Sequence, residues 1–195
     1  MDLNLRIGQR VLGLRAAQGL SLDALAARSG VSRSNISLIE RGRSSPTAVV
    51  LAKLAQSLDV SLASLFEPAE VPAAPSLLSH REDQPVWTDP ASGYVRRTLS
   101  PPAASPLQLA EVTFPAGKRV AYEAGERDRE LHQQVWMLEG TMELGVGETR
   151  YRLTAGDCLV MRLDQPTSFR NPTRRPARYL VALTALPRRP AGRSR

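Results

Sequence analysis

Residues 19–46 read GLSLDALAARSGVSRSNISLIERGRSSP, and this stretch decides the fold of the first third of the chain. Ser21 is suited to cap a helix, because a serine hydroxyl can accept from the backbone N–H groups that a helix start leaves unpaired. Leu22, Leu25 and Ala26 then fall on one side at i, i+3 and i+4. Gly30 can take the left-handed conformation that ends a helix. Ser32 is a second cap, and Val31, Ile36 and Ile39 point the following helix back toward the same core. The reading is two short helices joined by a tight turn.

That layout is a helix-turn-helix, which sets the start of its second helix into the DNA major groove. Arg33, Ser34, Asn35 and Ser37 lie on the outward, N-terminal side of that helix. They are short polar or cationic groups able to reach base edges and phosphates. Arg41 and Arg43 follow the helix end and suit phosphate contacts. Ser21 and Ser32, at the two helix starts, complete the expected DNA-facing set.

The same residues carry a resemblance. The segment LSLDALAARSGVSRSNISLIERGRSSPT resembles the lambda-repressor-like, xenobiotic-response-element type of helix-turn-helix domain, over Leu3 to about Phe66. The chain departs from that family at Leu22, where many members carry a phosphate-binding Gln, and at Asp23, where a basic or neutral residue is usual. The resemblance implies five helices around one small core. Helix one is expected over residues 3–18, helix four from about Thr47 to Leu58, and a short fifth from Leu62 to Phe66 behind Ser61. It also implies a largely buried ion pair between Arg10 and Glu40.

The charge pattern agrees with a nucleic-acid partner. The net charge is +7. Residues 1–66 hold eight Lys/Arg against four Asp/Glu, and the last eight residues hold four Arg. The positive field thus sits on the helix-turn-helix and the tail. The single cysteine, Cys158, excludes an intramolecular disulfide, and its apolar run DCLVM predicts a small buried hydrophobe. No apolar run approaches the roughly 20 residues of a membrane span, and the N-terminus lacks the apolar core of a signal peptide. A cytoplasmic protein without membrane contact is expected.

Beyond residue 66 the pattern changes. EPAEVPAAPS, residues 67–76, is rich in Pro and Ala and reads as a semi-stiff linker extending to about residue 80. SPPAASP at 100–106 reads as a loop between strands. From Val95 onward the chain runs in short alternating stretches: VRRTL, LQLAEVTF, RVAYE, HQQVWML, TMELGV, TRYRL, CLVMRL, TSFR and ARYLVALT. Gly and Asn-Pro turns separate them. Many short, evenly spaced strands predict a sandwich or barrel. PRRPAGRSR closes the chain as a basic tail.

Three fragments, VWMLEGTMEL, YRLTAGDCLVM and QPTSFRNP, resemble the two core motifs of the cupin fold over about residues 95–185. Gly140 follows the strand of the first motif, and Ala155-Gly156-Asp157 opens the second. Together the two resemblances imply an α + β multidomain chain. An N-terminal five-helix DNA-binding domain (1–66) and a linker (67–80) precede an all-β cupin domain, a small double-stranded β-helix barrel (81–187), with a tail at 188–195.

Metal-binding cupins present His-x-His and Glu on the first motif and His on the second. This chain has Glu123 and Gly125, then Gln133, then Thr167 at those places, by counting from Gly117, Gly140 and Asn171. His132 is one residue off the Glu position, so strand alternation aims it the other way. His80 lies before the barrel. No metal, cofactor or catalytic group is therefore expected. Tyr122, Gln133, Val135, Met137, Thr167 and Phe169 are the expected effector-pocket residues, by strand alternation about the family's ligand positions. Trp136 is expected on the outer face. Asp157 reads as a turn residue opening a strand.

These readings point to a DNA-binding transcriptional regulator whose barrel senses a small organic molecule. Binding double-stranded DNA as a homodimer is expected, because one helix-turn-helix reads only a few base pairs. Two other readings are weaker. A metal-dependent, epoxidase-like enzyme of the same architecture lacks its ligand set here. A non-sensing DNA-binding partner, such as an antitoxin, does not need so large a second domain.

Overall fold

The computed structural model describes residues 3–67, 76–103, 105–124 and 129–187. Four α-helices open the chain: α1 (Leu3–Ala17), α2 (Leu22–Ser29), α3 (Arg33–Glu40) and α4 (Ala48–Ser57). The expected fifth helix is a single 3-10 turn, Ala63–Phe66, with the Ser64 N–H donating to Ser61 Oγ at 3.0 Å. The expected caps form. Ser21 Oγ accepts from the Ala24 N–H at 3.0 Å, and Ser32 Oγ accepts from the Asn35 N–H at 3.3 Å. Gly30 has φ 65° and donates to the Ala26 carbonyl. A side chain at that φ is strained, which is why glycine suits the turn.

Ile7, Val11, Leu25, Val31, Ile36, Ile39, Leu51, Leu54 and Leu58 fill the helical core. Helices α1 and α3 approach at Gly8, where any Cβ would collide with the Ile39 carbonyl oxygen. That side of α1 also settles the ion pair, and corrects the expectation. Arg15, not Arg10, pairs with Glu40: its Nε and Nη2 donate to the two carboxylate oxygens at 2.6 and 2.9 Å. Arg15 lies two turns past Gly8 and so shares the side facing α3. Arg10, two residues past Gly8, points away from α3. It donates instead to the Ser64 carbonyl at 3.1 Å and to Glu67 at 3.3 Å.

Ten strands follow: β1 (Val86–Thr88), β2 (Val95–Thr98), β3 (Leu107–Phe114), β4 (Arg119–Tyr122), β5 (Arg129–Glu139), β6 (Thr141–Val146), β7 (Thr149–Thr154), β8 (Cys158–Arg162), β9 (Thr167–Arg170) and β10 (Ala177–Pro187). They form a six-stranded sheet, β1-β2-β3-β10-β5-β8, and a four-stranded sheet, β4-β9-β6-β7. All neighbouring pairs are antiparallel. The two sheets face each other, with Phe169 of β9 stacked on Tyr179 of β10 at 6.1 Å between ring centroids. Every strand run read from the sequence is a strand. β1 is an addition, too short at three residues to announce itself by alternation.

Cys158 is exposed, against expectation. It begins β8, the edge of the six-stranded sheet, directly across from Trp136. Both side chains stand on the outer face. Of the expected linker, residues 68–75 lie outside the described residues, as does the tail at 188–195.

The two units are joined through named bonds. Asp89, in the β1–β2 turn and 1% exposed, accepts from the Ala48 N–H at the start of α4 at 2.9 Å. Its other oxygen is held by the Ser92 N–H and hydroxyl. Gln108 of β3 accepts from the Ser61 hydroxyl at 2.9 Å and donates to Glu67. Phe66 packs on Trp87, Trp87 on Tyr94 and Tyr94 on Phe114, at 5.5–5.7 Å between centroids.

The two arginines of α1 are separable by experiment. Arg15→Ala leaves Glu40 buried without its cation and is expected to lower unfolding stability by about 3 kcal/mol. Arg10→Ala removes a partly exposed contact and is expected to cost about 1 kcal/mol. Urea unfolding of both variants checks the order; equal losses contradict the assignment.

Candidate DNA interface and interdomain cavity

At the start of α3, Ser32, Arg33 and Ser34 are exposed, while Asn35 and Ser37 are half-buried. Arg33 Nε lies 3.2 Å from Asp23 Oδ1 of α2, with both side chains largely in solvent. Such a pair is weak, so Arg33 can leave it for a phosphate or a base. Arg41 Nε donates to the Ser37 carbonyl at 3.0 Å, which lays its guanidinium along the helix end. Arg43 is exposed beside it, and Ser21 is exposed while acting as a cap. The structure thus leaves all of the sequence-expected DNA-facing residues exposed or half-buried, none of them in the core. It adds Leu38, 38% exposed and one turn past Ser34. An apolar side chain there suits a thymine methyl; a reading that sought only polar groups passed over it.

A cavity of about 130 Å³ opens between the sheets and the helical unit. Tyr122, Gln133, Thr167 and Phe169 line it, as expected. Val135 and Met137, expected there too, are 0% and 1% exposed and belong to the solid core. They share the inward side of β5 with Gln133 by alternation, but only Gln133 of the three lines the cavity. Glu123 lines the cavity as an exposed residue, and Gly125 lies outside the described residues. His132 stands on the opposite side of β5 from Gln133, half-buried, with Nε2 3.4 Å from Glu130 Oε2. His80 is exposed outside this cavity.

Three contributors escaped the sequence reading. Tyr94 and Arg96 of the β2 region, and Tyr179 of β10, line the cavity, and α4 supplies Val49, Ala52, Lys53 and Gln56 to its wall. The signal for Arg96 was present: Tyr94 and Arg96 stand two apart, so both point inward if one does.

Arg96 is 7% exposed. Its guanidinium carbon sits 5.1 Å from the Phe66 ring centroid, a cation–π contact. Its Nε has no hydrogen-bond partner, and no carboxylate pairs with it among the described residues. The neighbouring Trp87, its register partner on β1, also buries an unpaired Nε1–H. Burial lowers the Arg96 pKa, partly offset by the nearby tyrosines. Burial also pushes Tyr94 up to about 12, against a hydrogen bond from Tyr122 and the Arg96 charge. Tyr122 and Tyr179 are raised too, again chiefly by burial. At neutral pH the cavity therefore presents one buried cation among neutral phenols. The Tyr94 and Tyr122 hydroxyls lie 3.4 Å apart.

Among the described residues, no group of three or more His, Cys, Asp or Glu is placed to hold a metal. Gln133 and Thr167 are neutral at two of the positions where metal-binding cupins carry ligands, and both are buried. Asp157 serves its turn, accepting from the Thr154 N–H and hydroxyl, which lowers its pKa.

A helix-turn-helix exposing Ser32, Arg33 and Ser34 at its second helix, set on a two-sheet domain, defines a DNA-binding protein with an appended β domain. Comparison with known proteins agrees. The helix-turn-helix family matches residues 13–65, and the cupin domain family matches residues 110–183. An uncharacterised HTH-type transcriptional regulator, y4dJ of Sinorhizobium fredii, is 40% identical over 70 residues, 36% of this chain and 91% of that protein. The HTH-type transcriptional regulator PuuR of Escherichia coli is 29% identical over 186 residues, 94% of this chain and 97% of the relative. The solved structure of an HTH_3 family transcriptional regulator from Vibrio cholerae superposes with a TM-score of 0.73 at 27% identity, covering 95% of this chain and 98% of that one. The chain thus carries a helix-turn-helix domain followed by a cupin domain, and over nearly its whole length it is similar to HTH-type transcriptional regulators.

The buried phenols give a pH test. A Tyr94 pKa raised from 10 to about 12 means the folded state holds that proton more tightly than the unfolded chain. The stability this contributes is complete below pH 10 and is lost as pH rises through 12. Phenolate absorbance is expected to show Tyr94, Tyr122 and Tyr179 ionising only late, together with unfolding. Tyr94→Phe is expected to flatten the alkaline fall in stability; an unchanged fall contradicts the assignment.

Proposed function

We propose that this regulator reads its operator as a cytoplasmic homodimer and changes its DNA affinity when a small organic effector enters the interdomain cavity. The observation that carries the effector reading is the shared wall. Lys53 and Gln56 come from α4 of the DNA-binding unit, and Gln133, Thr167 and Tyr122 come from the cupin domain. A ligand there touches both units, so it can bind two arrangements of them unequally, which a shift in DNA affinity requires. The working division is 1–66 for DNA binding, 67–80 for the linker, 81–187 for effector binding and dimerisation, and 188–195 for a basic tail.

Asn35 pairs with adenine and Arg33 with guanine in this reading, with Ser34 and Ser37 beside them. Arg41 and Arg43 hold phosphates, and the helix starts at Ser21 and Ser32 lie against the backbone. Asn35→Ala is expected to cost about 1–3 kcal/mol and to relax preference at one base pair. Arg43→Ala is expected to weaken all sequences alike and to shallow the salt dependence. Selection of bound fragments from a random DNA pool, followed by binding at several salt concentrations, checks both. An unchanged base profile for Asn35→Ala removes its readout role.

The outer face of the six-stranded sheet is the proposed dimer surface. Trp136 is 48% and Val160 64% exposed, with Cys158 and Leu180 directly across from Trp136. Dimerisation gives the protein the two-fold symmetry of a paired operator site. Val160→Glu is expected to yield monomers by light scattering and to weaken operator binding at least tenfold. Wild-type protein that is monomeric at working concentration and still binds fully contradicts this.

The chain is read as a regulator, not an enzyme. Its relatives are named regulators, and Gln133 and Thr167 supply hydrogen bonds where metal-binding cupins supply ligands. The effector response is expected to survive chelator treatment and to weaken in Gln133→Leu and Thr167→Val, with ligand-free operator affinity unaltered. Loss of the response to chelator alone restores the metal-dependent reading.

A further inference from the structure

An arginine buried without an acid is costly, because the charge has left water and gained no partner of opposite sign. Arg96 is in that position. One face of its guanidinium is covered by Phe66, its Nε is unpaired, and it lines the cavity. A guanidinium cannot shed its proton to escape the cost. The groups around it, Tyr94, Tyr122 and Tyr179, are phenols kept neutral by burial, so they do not neutralise it and can donate to an incoming anion. Lys53 adds a second cation from α4. The acidic side chain on the cavity is Glu123, which is exposed. The rest of the lining is largely apolar, with Val112, Phe114, Phe169, Val181 and Leu183.

We propose that the cavity takes a small carboxylate with an apolar body, its carboxylate accepting from the Arg96 guanidinium and from the Tyr94–Tyr122 hydroxyl pair. This rests on the reading that the cavity is the effector site. The geometry of an arginine fork suits two carboxylate oxygens. The apolar body then lies toward Val49 and Ala52 of the α4 wall, so the ligand closes the gap between the sheets and α4. In the ligand-free protein Arg96 destabilises the fold; in the complex it is the anchor.

The test uses the full chain with three probes of one size: hexanoate, hexanamide and hexylamine, by titration calorimetry and thermal unfolding. Hexanoate is expected to bind at least about tenfold more tightly than the amide, the margin of a charge-assisted hydrogen-bond pair over a neutral one. Arg96→Met is expected to erase that margin and to raise the ligand-free unfolding midpoint, since a buried unpaired charge has been replaced by an apolar side chain of similar volume. A merely structural arginine does the opposite and lowers the midpoint when lost, which overturns the proposal. The wild-type ratio stands as a readout even if the variant fails to fold. Amide or amine binding as tight as hexanoate overturns the carboxylate assignment and leaves the effector reading in place. Binding of none of the three at millimolar concentration overturns the cavity as an effector site, and the proposal with it.

Discussion

The structure depends on one bond between its two halves, the one from the Ala48 N–H to Asp89. A helix start leaves backbone N–H groups unpaired and carries partial positive charge. Here α4 receives one cap from its own Thr47 and another from a carboxylate of the second unit. Asp89 is held by Ser92 before it reaches α4, so little freedom is lost in making the contact. A charge-assisted bond in such a buried place contributes about 1.5–3 kcal/mol. The aromatic series Phe66, Trp87, Tyr94 and Phe114 continues the same joint into the two-sheet domain.

That joint gives the cavity its wall. With α4 held against the second unit, Lys53 and Gln56 become part of a pocket that the sheets leave open. The consequence is mechanical. The helix that packs on α2, the first helix of the helix-turn-helix, is also a wall of the cavity, so an occupant of the proposed effector site would touch the DNA-reading unit directly. Arg96 illustrates the usual trade at such places. It breaks the rule that a buried charge has a partner, and the rest of the core makes up the loss.

Much of the helical unit was legible because its determinants are local. Ser21, Gly30 and Ser32 act on backbone groups within three or four residues of themselves, and that chemistry is written in the sequence. The same holds for the strands, whose alternation is a property of neighbouring residues. The errors concern partners far apart in the chain. Arg10 and Arg15 are equally able to meet Glu40 as residue types, and only the close packing of α1 on α3 at Gly8 selects Arg15. Cys158 sits in an apolar run but begins an edge strand, which exposes it. Gln133, Val135 and Met137 share one side of β5, yet only Gln133 lines the cavity, a difference that alternation does not show. Asp89, Lys53 and Arg96 acquire their roles only when the two units meet.

The most direct test of this account is scanning calorimetry of the intact chain, comparing the wild type with Asp89→Ala. If the two units form one mechanical body, the wild type unfolds in a single transition whose calorimetric and van't Hoff enthalpies agree. Asp89→Ala then splits it into two, the lower one belonging to the helical unit. Two independent transitions already present in the wild type, unmoved by the substitution, contradict the claim that the DNA-binding helices and the two-sheet domain share one cavity wall.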